Sequence, residues 1–298
     1  MKIIIFQNLE NLQRFCANQF IEEVKKNTKC KLGFATGVSP IEAYKYIIED
    51  YKINDEFVGI SPNHPQAFIK QMKDNLFDQI DIEPKNIFIP NCQAKDAIQE
   101  ANDYENKIKE HGPIDFQYIS LGINGHMAYN EPGTAFETFT HVAKLTEETI
   151  LDMVAKKKFS SLEESPTHAI TMGIQTLLKS NKKVIMVSYG AQKAQVTKEM
   201  IEAKPNSLVT ASYLQLHSNC TFVLDAAAAS KLSQETLAKE FNMKNLKNKN
   251  TFLTQNTSKT PNYLNVTPEI LKTYLDECFY NHDKKDLIEK TFRELGKK

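Results

Sequence analysis

Five apolar runs, each too short for a helix, recur along this chain with helix-length amphipathic stretches between many of them. The runs are 31–35 (KLGFA), 86–90 (NIFIP), 117–123 (QYISLGI), 183–188 (KVIMVS) and 220–225 (CTFVLD). They are apolar on successive residues rather than alternate ones, so they read as strands buried on both faces. Helical patterns occupy 10–27, 39–51, 94–111, 167–179 and 190–203. Strands joined through helices of this length lie parallel, because only a crossover connection returns the chain to the same end of the sheet. The expected fold is therefore α/β, an open and mostly parallel sheet with helices on both faces. Ligands on such sheets sit beyond the C-terminal ends of the strands. Polar residues that directly follow an apolar run are the ones to examine.

Composition narrows the function classes. A chain of 298 residues, 41% apolar and 25% charged, has room for one large domain, or one domain and an appendage. The 37 basic residues match the 37 acidic ones. That balance gives no global field for nucleic acid or an anionic membrane, so neither is expected as a partner. The opening run MKIIIF is too short for a signal-peptide core, and no long apolar span follows. Five scattered cysteines without CxxC spacing suggest neither a disulfide framework nor a zinc site. A reduced, cytoplasmic chain with no metal is the expectation. From about Met243 the composition turns to Lys, Asn and Thr, and helical patterns resume at 267–279 and near 284–295. This divides the chain into an α/β domain, 1–235, and a C-terminal appendage, 236–298, mainly helical with a polar linker.

Three strand ends and one acidic pair carry candidate chemistry. ATGVSPIEAYKYI (35–47) places Thr36 and Gly37 in a turn, Ser39 at a helix N-cap, Pro40 at the first helical position and Glu42 three residues after Ser39. Such a turn exposes amide and hydroxyl donors to a phosphate, although most well-capped helices bind nothing. YKINDEFVGI (51–60) carries Asp55 beside Glu56, either a buried general base or an ordinary surface pair. LGINGHMAYNEPG (121–133) crowds Asn124, His126, Asn130 and Glu131 behind a strand. His126 beside Glu131 would form an acid–base pair, the carboxylate fixing the tautomer, and a merely structural histidine is an equal alternative. SYGAQKA (188–194) puts Lys193 in the first turn of a helix, where a cation opposes the helix dipole unless an anion is present.

Taken in order, these segments resemble the glucosamine-6-phosphate deaminase (isomerase) family. LGFATGVSPIEAYKYI, INDEFVGISPNHPQAF, ISLGINGHMAYNEPGTAFETFTHVAKLTEETI, PTHAITMGIQTLL, SYGAQKA and YLQLHSNCTFVLDAAAA carry the resemblance, from residue 31 to about 230. The most specific motif is Gly-His-x-x-x-Asn-Glu-Pro after a Leu-Gly strand end. The resemblance implies a Rossmann-like sheet and conversion of glucosamine 6-phosphate to fructose 6-phosphate and ammonia without an organic cofactor. It implies Asp55 as the base that moves a proton between C2 and C1, His126 as the ring-opening acid–base group, and Glu131 as its support. Thr36, Gly37, Ser39 and Lys193 would bind the phosphate.

The chain departs from the family pattern in places. Asn124 stands where the best-known members have Asp; it can orient an imidazole but cannot neutralise an imidazolium. The helix after LTEETI lacks the family's phosphate-binding Arg, leaving Lys156, Lys157 or Lys158 as substitutes with a point charge in place of a planar fork. Thr134, His141 and Ala143 occupy the nearest positions to the basic residues of the allosteric members, so no activation by N-acetylglucosamine 6-phosphate is expected. These departures keep two alternatives open: a galactosamine-6-phosphate deaminase, and a sugar-phosphate-binding regulatory protein without catalysis. The small-molecule partner is an amino-sugar phosphate, and the choice between monomer and homo-oligomer stays open.

Overall fold

Strands that are apolar on both sides must be covered on both sides, and the computed structural model shows how. It describes residues 2–36, 39–48, 56–57, 67–79 and 82–240. Asp55, Gly37 and the expected linker and helices after residue 240 lie outside the described residues. In chain order the elements are β1 (Lys2–Phe6), α1 (Leu9–Lys26), β2 (Leu32–Gly33), α2 (Ile41–Ile47), β3 (Glu56–Phe57) and α3 (Phe68–Asn75). Then come α4 (Ala97–His111), β4 (Phe116–Ser120), β5 (His141–Lys144), α5 (Glu147–Ala155), β6 (His168–Thr171) and α6 (Ile174–Lys179). β7 (Val184–Ser188), α7 (Ala194–Glu202), β8 (Cys220–Asp225), α8 (Ala226–Ala229) and α9 (Gln234–Glu240) complete the set.

The main sheet has the order β1-β8-β7-β4-β2, and every pairing in it is parallel. Alternate side chains along each strand feed two cores. Ile119, Val184, Met186, Phe222 and Leu224 pack with α4, α6 and α7 through Ile108, Leu177 and Met200. Tyr118, Ile185, Val187 and Val223 pack on the other face with α1, α2 and α3 through Phe20, Tyr44 and Met72. Phe20 anchors that second face, with its ring 4.6 Å from both Phe34 and Phe116, stacked on the first and edge-on to the second. Burying each such side chain stabilises the fold by about 2–3 kcal/mol. The expected α/β sheet with helices on both faces is what forms.

Local expectations fared unevenly. The 86–90 run is not a strand. A 3-10 turn (Pro84–Asn86) precedes it and the rest is extended coil without a ladder. Pro90 has no N–H to donate to a ladder, while Ile87 and Ile89 pack against one core and Phe88 against the other. The helix expected over 167–179 divides into β6 and α6, because Gly173 breaks the pattern between them. The helix expected over 39–51 is described as α2, with Pro40 rather than Ser39 at its N-cap and no side-chain capping bond. Glu42 pairs with Lys45 at 2.5 Å instead of closing a capping box. β1 and the small antiparallel sheet β3-β6-β5 were not foreseen.

The small sheet depends on one close approach. A Cβ built on Gly173 would lie 2.0 Å from the Phe139 carbonyl oxygen and 2.3 Å from that of Thr138. Both are backbone atoms and cannot swing aside. Gly173→Ala is therefore expected to lower stability by about 1–3 kcal/mol, the usual range for overpacking. Urea denaturation of the two proteins, compared at equal m-value, measures it.

Candidate active site

The loop after β4 is built to present a histidine. Leu121 donates its N–H to the Val187 carbonyl and so extends the strand by one residue. The chain then doubles back, with Gly122 N–H bonded to the His126 carbonyl at 2.8 Å and Gly125 at φ 87 making the turn. A Cβ on Gly122 would lie 2.3 Å from the His126 ring, so the glycine is what lets the imidazole lie against the backbone. Asn130 fixes the far side of the loop. Its buried amide donates to the Met127 and Met172 carbonyls at 3.0 and 2.8 Å.

Glu131 is buried beneath this turn, and one oxygen gathers the site. Oε2 accepts from Asn124 Nδ2 at 2.7 Å and from Thr146 Oγ1 at 3.1 Å, and lies 3.3 Å from His126 Nδ1. Thr146 also N-caps α5, which ties that helix to the loop. Burial pushes the Glu131 carboxyl up. The hydrogen bond and charge of His126, and side-chain bonds from Thr149 and Asn124, outweigh burial and bring it down to about 2. With Nδ1 facing a carboxylate, Nε2 is the ring nitrogen left to exchange a proton elsewhere.

The sequence expectation for Asn124 needs revision in detail. It does not orient the ring directly. Its Nδ2 bonds Glu131, and its Oδ1 accepts from the backbone N–H of His126 at 3.2 Å. An Asp here would have no donor for Glu131, so the amide is chemically matched to a neighbouring carboxylate.

Beside His126 lies a cleft whose walls include Thr36, Ser39, Tyr129, Thr149, Asp152, Lys156, Lys158 and Lys193. It lies beyond the C-terminal ends of β2 and β4, with Lys193 from the turn after β7 in its wall, as expected for a parallel sheet. Lys193 is no solvated helix lysine. It is buried at the end of a 3-10 turn (Ala191–Lys193), and its ammonium donates to the Leu121 carbonyl and sits 5.4 Å above the Tyr189 ring. Burial, together with the charge of Lys156, pushes its pKa down to about 8. Lys158 is brought to about 8 by the same two causes. Of the three lysines in AKKKF, Lys156 and Lys158 line the cleft and Lys157 does not. Lys156 is paired with Asp152 at 2.5 Å, which leaves Lys158 the better placed cation. Ser39 reaches the cleft, although its carbonyl is taken by Gln13 Nε2 at 2.9 Å.

Thr134, His141 and Ala143 do not line this cleft. Thr146, Thr149 and Asp152 were missed in the sequence. The signal available for them was the N-cap pattern Thr146-Glu147-Glu148-Thr149, which predicts a helix start but not what the start is packed against.

The chain was compared with known proteins. A family model described as glucosamine-6-phosphate isomerases/6-phosphogluconolactonase matches residues 7–222. A glucosamine-6-phosphate deaminase of Mycoplasmopsis pulmonis (strain UAB CTIP) is 51% identical over 250 residues, covering 80% of this chain and 98% of the relative. One from Thermoanaerobacter sp. (strain X514) is 39% identical over 249 residues, covering 80% of this chain and 97% of its own. Among solved structures, a monomeric glucosamine-6-phosphate deaminase superposes with a TM-score of 0.74 at 34% identity, over 77% of this chain and 99% of that one. The 6-phosphogluconolactonase of Leishmania guyanensis, 15% identical with a TM-score of 0.62 over 78% of this chain and 98% of its own, shares the fold.

The depressed carboxyl of Glu131 makes the fold acid-sensitive. A folded-state pKa below the unfolded value contributes stability that is complete above the unfolded pKa and is lost as pH falls through the folded one. The window here runs from the ordinary carboxyl value of 4.5 down to about 2. Chemical denaturation in steps across that window should show stability falling in the wild type. In Glu131→Gln the fall should be visibly shallower, and equal slopes would mean that the carboxylate is not held as described.

Proposed function

The chain belongs to the glucosamine-6-phosphate isomerase/6-phosphogluconolactonase family, and from that membership we propose that it is a glucosamine-6-phosphate deaminase. It opens the sugar ring, isomerises aldose to ketose and releases ammonia, leaving fructose 6-phosphate. The observation that carries this reading is His126, 3.3 Å from Glu131 and facing the same cleft as the buried Lys193 and the half-buried Lys158.

Each step asks for a group of a kind the chain provides. Ring opening needs one proton delivered to the ring oxygen and one taken from the anomeric hydroxyl. His126 does both through Nε2, while Glu131 supports the imidazolium in between. Isomerisation needs a base that lifts the proton from C2 and returns it at C1. We assign this to Asp55 on its motif, and an isolated aspartate with a pKa of about 3.9 starts ionised at neutral pH. The resulting C2 imine takes up water and loses ammonia, so one water is consumed for each ammonia released. Thr36, Gly37 and Ser39 donate to the phosphate, and Lys158 with Lys193 supplies the charge that the family's arginine would have given. Asn124 acts on the catalytic pair by orienting Glu131. We place the reaction in the cytoplasm; among the described residues no helix is long and apolar enough to cross a membrane.

Purified protein given glucosamine 6-phosphate should release ammonia, with galactosamine 6-phosphate run beside it as the epimer control. Release from the epimer alone would keep the mechanism and change the substrate. Release from neither, by folded protein, would overturn the assignment. Asp55→Asn should lower kcat by about 10³-fold or more while substrate still protects the fold thermally. A variant that turns over normally would remove Asp55 from the mechanism.

The lysines set a second expectation. Both cations are needed in the protonated form, and each titrates near 8. KM for the sugar phosphate should therefore rise as pH climbs through that value, with kcat changing less. A KM that stays flat to well above pH 8 would show that neither lysine bears the phosphate charge.

A further inference from the structure

Lys193 is held in place from outside its own helix. The 3-10 turn that carries it begins at Gly190, whose φ of 88 and ψ of 142 only glycine adopts freely. The amide of that glycine is fixed by a neighbouring strand. Both carboxylate oxygens of Asp225 lie 3.1 Å from the Gly190 nitrogen and accept its N–H. The same carboxylate N-caps α8, with Oδ1 accepting from the Ala228 N–H at 2.7 Å. Asp225 is the last residue of β8, which pairs with β7. One side chain thus bridges the C-terminal ends of two adjacent strands.

A cap alone does not require this residue. Asn or Ser would accept from Ala228 equally well. An ionised carboxylate that is largely buried is costly, and burial does raise the pKa of Asp225, against the two N–H bonds and the charge of Lys193 that lower it. The charge therefore calls for a second purpose.

We propose that Asp225 is a positioning residue for the reaction: it pins the Gly190 turn so that Lys193 stays in the cleft, and it sets a negative charge behind that ammonium. This rests on the reading of Lys193 as a phosphate ligand. The charged groups acting on Lys193 are Lys156 and Asp152 from α5 and Asp225 from the end of β8. Lys158 and His126 line the same cleft. Burial and Lys156 favour the neutral amine, whereas Asp152 and Asp225 favour the ammonium. Without the charge of Asp225, Lys193 loses its proton at a lower pH.

Asp225→Asn tests this, because it keeps the shape and one acceptor oxygen for the cap while removing the charge. Steady-state kinetics with glucosamine 6-phosphate, from neutral to mildly alkaline pH, should show KM raised about tenfold with kcat within about threefold of wild type. The alkaline rise in KM should begin at a lower pH than in the wild type. In a Lys193→Ala background, Asp225→Asn should add nothing further to KM, since its effect runs through that lysine. A lowered melting temperature with an unshifted KM–pH profile, or a further rise in KM on top of Lys193→Ala, would reduce Asp225 to a structural cap and overturn the proposal. If Asp225→Asn does not fold, Asp225→Ser, which also caps, takes its place in the same measurements. Lys193→Ala separates the two levels. If it leaves KM unchanged, the phosphate reading itself falls. If it raises KM while Asp225→Asn does not, only the positioning role falls.

Discussion

Glu131 Oε2 is a single oxygen of a buried carboxylate on which three side chains converge. Asn124 and Thr146 donate to it, and the His126 ring lies against it. Through Asn124 it fixes the first half of the loop after β4, and through Thr146 it fixes the N-terminus of α5, the helix that carries Asp152 into the cleft. A carboxylate in this position tolerates burial because donors converge on Oε2, where the ring it faces is also held. Structural anchor and proposed support of the imidazole are thus one interaction. Loss of the charge would loosen the loop as well as the histidine.

The cleft places opposite demands on its cations. Buried Lys193 and half-buried Lys158 both lie near a third lysine, and both titrate well below an exposed amine. Nothing in a folding argument favours that arrangement. The proposed phosphate site accounts for it, since an incoming phosphate would supply the missing counter-charge. Asp152 and Asp225 oppose the loss of charge only in part. That keeps Lys193 charged near neutral pH while leaving room for the proposed phosphate.

The main sheet could be read from the chain because its strands are apolar on both faces and parallel pairing follows from the helices between them. The loop of His126 and Glu131 could be read because its residues are close in sequence. β1 was passed over, since a short apolar run at the start of a chain has no flanking pattern to mark it as a strand. The 167–179 segment misled because β6 and α6 are both short and apolar. Only the close approach of Gly173 to the 138–139 backbone reveals the boundary. The 86–90 run has the composition of a strand, yet Pro90 and the 3-10 turn before it leave it outside the ladder.

By itself, then, the sequence determined the sheet class, the edge of the sheet where the cleft opens, and the His126–Glu131 pair. These depend on periodicity and on residues within one loop. Tertiary structure alone decided that Asn124 serves Glu131 rather than the imidazole ring, and that Lys158 rather than Lys157 faces the cleft. It also decided that Asp225 bonds the amide of Gly190, 35 residues earlier in the chain, at the start of the turn that carries Lys193. The physical reason is shared. Hydrogen-bond partners and local dielectric depend on distance in space, and strands paired side by side bring together residues that no local pattern connects.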